Sequence, residues 1–76
     1  MEAEIKFPDC KKLENFITLF LGLKETNEFK GQTFPLNAFV DWTRNVVKIF
    51  VTDTNNIFSK SAFEYWITEA KRLGGN

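Results

Sequence analysis

The opening of the chain sets the strongest constraint on its fold. Glu2, Glu4 and Lys6 alternate with Ala3, Ile5 and Phe7. Successive side chains of a strand point to opposite faces, so this segment has one dry face and one wet face. A sheet that contains it needs cover on one side only, which points to a two-layer α+β arrangement. Pro8 ends the strand, and Asp9 is placed to accept from the orphan amides of a following helix.

That helix is expected over residues 10–21. Leu13, Phe16, Ile17 and Phe20 recur at helical spacing, and Gly22 reads as a left-handed stop. Leu19, Leu23 and Leu21 widen the apolar arc to roughly 200°, beyond what a helix covering one sheet face needs. Residues 24–32 are polar apart from Phe29 and read as a connecting loop.

Residues 33–52 read as a hairpin turning at Arg44-Asn45, since Asn tolerates the positive φ of a tight turn. The register this sets places Trp42 opposite Val47, Val40 opposite Ile49 and Ala38 opposite Val51 on one face. On the other face it places Asp41 opposite Lys48, Phe39 opposite Phe50 and Asn37 opposite Thr52. An apolar face, an ion pair and an aromatic pair fall together, whereas a one-residue slip opposes apolar to polar. A short helix over Pro35–Thr43 is the competing assignment. Val46–Val51 is nearly all apolar and belongs at the centre of the sheet, while Pro35 places its strand at an edge.

A second helix is expected over residues 60–72. Ser61 and Glu64 fit a capping box, with Ser59 as a rival cap stapled by Phe58 and Phe63. Ala62, Phe63, Trp66, Ile67, Ala70 and Leu73 form its stripe, and Gly74-Gly75 ends it. The predicted fold is β-α-β-β-α: a three-stranded antiparallel or mixed sheet of order 2-3-1 with both helices packed on one face. One small domain spans residues 1–76.

Composition narrows the chemistry. The 76 residues hold no His, which removes the commonest general base and metal ligand. The single Cys10 excludes an intrachain disulfide and cannot build a zinc site without His. At the first turn of a helix its thiol meets oriented amides, opposed by adjacent Asp9; the simpler reading is a small buried side chain at the edge of the stripe. No glycine-rich phosphate loop follows a strand. The expectation is therefore no enzyme, no cofactor and no metal. The apolar run Leu19–Leu21 is far short of the ~20 residues of a membrane span, and the opening lacks a secretory signal, so a cytoplasmic protein without membrane contact is expected.

Ten basic and ten acidic residues cancel, yet 16% of the chain is aromatic, including nine Phe. A domain of this size buries only ~60% of the surface of its unfolded chain. Aromatic surface left outside the core then faces a partner. With both helices on the face of Val40 and Ile49, the rings of Phe39 and Phe50 stand on the open face beside Lys48, unless Phe29 covers them. Leu19 and Leu23 on the flank of the first helix are a second candidate contact. The expected function is a small protein-interaction domain, a regulator, inhibitor or assembly subunit, binding a protein partner or a second copy through these residues. The alternative is a single-stranded nucleic-acid binder stacking bases on Phe39 and Phe50 with Lys48 and Lys6. Zero net charge counts against it.

Overall fold

The computed structural model describes every residue except Gln32, and Phe29 by its backbone only. The elements run β1 (Glu2–Lys6), α1 (Cys10–Phe29), β2 (Leu36–Asp41), β3 (Val46–Val51) and α2 (Ser59–Arg72). The three strands form one antiparallel sheet in the order β1-β3-β2. The apolar strand is central and the strand that follows Pro35 is at an edge, as the sequence implies.

Strand parity sorts the side chains as the opening alternation requires. Ile5, Leu36, Val47 and Ile49 are buried on one face, beneath Leu13, Phe16, Ile17 and Phe20 of α1 and Trp66 and Ala70 of α2. Aromatic rings join the layers. Trp66 stands edge-on to Phe16 at 5.9 Å and to Phe20 at 5.0 Å between ring centres, and Phe7 lies 5.6 Å from Phe16. Glu2, Glu4, Lys6, Phe39 and Lys48 on the opposite face are exposed, so both helices lie on one side.

Several local expectations are corrected. Helix α1 does not stop at Gly22 but continues to Phe29, so residues 24–29 are helix rather than loop. A Cβ built at Gly22 meets nothing within 4 Å, and the Thr26 hydroxyl donates to the Gly22 carbonyl across 2.8 Å. A mid-helix glycine costs ~1 kcal/mol, too little to break a helix already held by four buried side chains. The left-handed residue is Gly31, at φ 74°. At the other end Asp9 caps as expected, its carboxylate accepting from the Lys12 amide at 2.8 Å. Cys10 is exposed rather than buried: it shares the side of Leu13 and Ile17 but sits in the first turn, at the end of the helix.

The hairpin exists, but its register is shifted by two residues. Phe39 pairs with Lys48, Val40 with Val47, Ala38 with Ile49, Asn37 with Phe50 and Asp41 with Val46. The cause is the turn. The Asp41 carboxylate accepts from the amides of Thr43 (3.1 Å) and Arg44 (3.2 Å), closing a turn over residues 42–45 with Asn45 at φ 56°. Asn45 is thus the positive-φ residue expected, in a longer turn than expected. Trp42 falls in that turn at 49% exposure and not opposite Val47 in the core.

Helix α2 begins at Ser59 without a side-chain cap. The Ser61 hydroxyl donates back to the Phe58 carbonyl at 3.1 Å, so the capping box with Glu64 does not form. Ser59 is buried and donates to the Asn56 carbonyl at 2.8 Å, and the Asn56 side chain accepts from the Phe58 amide at 2.8 Å. This preceding turn orients the first residues of the helix in place of a cap. The chain leaves α2 through Gly74, at φ 105°.

Candidate interaction face

The open face of the sheet carries the candidate site. Across the strands its rows read Glu2–Phe50–Asn37, Glu4–Lys48–Phe39 and Lys6–Val46–Asp41. A slip of two residues preserves side-chain parity, so Phe39 and Phe50 remain on this face, as diagonal neighbours rather than as an opposed pair. Phe39 is 73% exposed, whereas Phe50 is half-buried. Val46 is buried yet lies outside the core cluster, at the floor of this face. A shallow concavity of about 810 Å³ opens here, with Met1, Phe39, Phe50 and Val46 among its lining.

Apart from Lys6, the charges of this face are paired with one another. Lys48 Nζ lies 2.9 Å from Glu2 Oε2. The Arg44 guanidinium reaches from the turn to Glu4 at 3.7 Å and Asp41 at 3.9 Å. The expected partnership of Asp41 with Lys48 is therefore replaced by two others, a direct result of the shifted register. Exposed pairs of this kind contribute little to stability, typically ~0–1 kcal/mol. Their consequence here is local neutrality: a ring standing among charges that already have counterions.

The expected contact residues do not form one surface. Leu19 and Leu23 are more than a third exposed on α1, in the helical layer, while Phe39, Phe50 and Lys48 belong to the opposite face of the sheet. Any covering of the Phe39 ring by Phe29 lies outside the described residues. One apolar surface escaped the sequence reading. Ile57 is 86% exposed and Phe58, expected as a staple against Phe63, is 65% exposed. The signal for it is an apolar dipeptide after Asn55-Asn56 that belongs to no helical or strand period.

Glu69 on α2 accepts from Arg72 through both carboxylate oxygens, Nε to Oε1 at 3.1 Å and Nη2 to Oε2 at 2.7 Å, which holds its carboxyl below the usual range. Among the described residues no His, Cys, Asp or Glu side chains group as metal ligands, and no helix is long and apolar enough to cross a membrane. No family model, curated protein or solved structure shows significant similarity to this chain.

Proposed function

We propose that the chain is a small, non-catalytic, cytoplasmic interaction domain that binds protein through the open face of its sheet. The observation that carries this reading is Phe39, 73% exposed in the middle of a strand and ringed by charges that satisfy one another. Covering such a ring is worth ~1.5–3 kcal/mol, and the ion pairs around it need not be broken to do so. A protein surface of modest polarity fits that combination. A single-stranded nucleic acid fits it less well, because phosphate binding draws on unpaired cations: Lys48 and Arg44 are already engaged, which leaves Lys6 as the cation of this face outside the described ion pairs. Its occlusion or tethering of a partner would serve a regulator, an inhibitor or an assembly subunit.

The test is the double change Phe39→Ser, Phe50→Ser, read by sedimentation and by titration with a single-stranded oligonucleotide at several salt concentrations. The expected result is loss of self-association or partner binding with the fold retained, and no steep salt-dependent oligonucleotide binding by the wild type. Tight, salt-sensitive oligonucleotide binding lost in the double variant would replace this reading with the nucleic-acid one.

A further inference from the structure

The two edges of the sheet are guarded unequally, and the difference follows from the phase of the ladders. In an antiparallel pair the N–H and C=O of one residue point to the same side, and the side alternates along the strand. The Thr52 amide donates to the Pro35 carbonyl at 2.8 Å and the Val51 amide to the Met1 carbonyl at 3.0 Å. Those bonds set the phase. Glu2, Glu4 and Lys6 turn their backbone groups away from β3 at one edge of the sheet, and Leu36, Ala38 and Val40 do so at the other.

The β1 edge is partly closed. The Lys6 amide donates to the Asn76 carbonyl at 3.1 Å, and the Asn76 amide donates back to Lys6 at 2.8 Å. What remains is Glu2 and Glu4. A second copy pairing antiparallel through these two alone opposes glutamate to glutamate, and like charges directly opposite destabilise a sheet.

The β2 edge is different. The only charge on β2 is Asp41. The Ala38 amide is held by its neighbour's side chain, Asn37 Oδ1 at 2.9 Å, which also accepts from Lys24 Nζ at 3.2 Å. Among the described residues no hydrogen bond takes the amides of Leu36 or Val40. Freeing the third takes a rotation of Asn37 that also releases Lys24. The phase permits two centred antiparallel registers of β2 with itself: Ala38 opposite its counterpart, or Phe39 opposite its counterpart. In the first the two Phe39 rings are diagonal, about 7–8 Å apart. In the second they face each other in the closer, non-hydrogen-bonded type of pair. Asp41 meets Pro35 or Asn37, so neither register opposes like charges. Both give cover to the exposed Phe39 ring.

We infer that β2 is a pairing edge whose occupant is β2 of a second copy, giving a continuous six-stranded sheet across a two-fold axis. This deepens the proposed function by naming one partner for the Phe39 side of the face, and it rests on that reading. One added strand per copy stays below the ~1,200 Å² of a standard interface, so the dimer dissociates on dilution.

Three readings of the purified chain test it: mass by light scattering over a dilution series, backbone amide exchange at Leu36 and Val40 over the same series, and both repeated for Ala38→Pro. Proline is tolerated on an edge strand where the lost N–H points outward. The expected wild type is dimeric when concentrated and monomeric when dilute, with exchange at Leu36 and Val40 slowing about tenfold as the dimer forms. Ala38→Pro should be monomeric throughout with its circular dichroism unchanged. If that variant does not fold, the wild-type exchange decides. A wild type monomeric at every concentration overturns the inference, as does a dimer whose formation leaves those two amides unchanged. A dimer of the latter kind that is lost in Phe39→Ser leaves the proposed function standing while the edge falls. A dimer indifferent to both changes removes both.

Discussion

The two faces of the sheet use the same residue type in opposite ways. On the covered face Phe7, Phe16 and Phe20 are wholly buried and tilt against one another and against Trp66. On the open face Phe39 projects among Glu2, Glu4, Lys48 and Arg44, whose charges pair off around it. Apolar packing organises the first face and ion pairing the second. A phenylalanine therefore has no fixed meaning in so small a chain; its place in the strand or helix period decides whether it stabilises the fold or stays available to a partner.

The covered face depends most on Trp66. It is 2% exposed and sits edge-on to two rings. Trp66→Ala should cost ~3–5 kcal/mol, the usual range for deleting a buried aromatic. That approaches the whole stability of a domain this small, so the variant should be largely unfolded by circular dichroism at room temperature. A variant that melts within a few degrees of wild type would mean that the covered face is not organised around this ring.

A smaller effect is expected where the covered face meets the end of the chain. A Cβ at Gly75 would lie 2.5 Å from Ile5 Cγ2, 2.8 Å from the Ala70 carbonyl oxygen and 3.1 Å from Phe7 Cζ. Two of those neighbours are core side chains and one is backbone, so none can swing aside freely. Gly75→Ala should cost ~1–3 kcal/mol by overpacking, measured by urea unfolding. It should also loosen the Asn76–Lys6 pairing that closes the β1 edge. An unchanged midpoint would show that this close approach is not maintained in solution.

How far these features can be read from the sequence depends on which signal carries them. Element order, strand order and the covered face follow from periodicity, because Ile5, Val47 and Ile49 cannot reach the core in the opposite parity. The hairpin register does not follow. Apolar alternation rejects a slip of one residue but is blind to a slip of two, and the deciding bonds come from the Asp41 side chain to Thr43 and Arg44. The end of α1 was hidden for another reason. Lys24–Glu28 is a solvated helical segment whose polarity matches that of a loop, and Gly22 imposes a cost without imposing a stop. Phe39 and Phe50 were legible as open-face residues because parity survived the slip. Their opposed pairing, and that of Asp41 with Lys48, was not, because it required the register. The exposure of Trp42, Ile57 and Phe58 depends on turn geometry that no periodic pattern encodes.

The open face can serve a partner only if it is free of the core, and the most direct measurement is the unfolding free energy of Phe39→Ser in denaturant under dilute conditions. A ring 73% exposed has little packing to lose. The predicted change is within ~0.5 kcal/mol of wild type, as for ordinary surface substitutions. A loss of ~2–3 kcal/mol would show that Phe39 is packed in the free domain, so that both faces of the sheet are covered and no aromatic surface remains there for a partner.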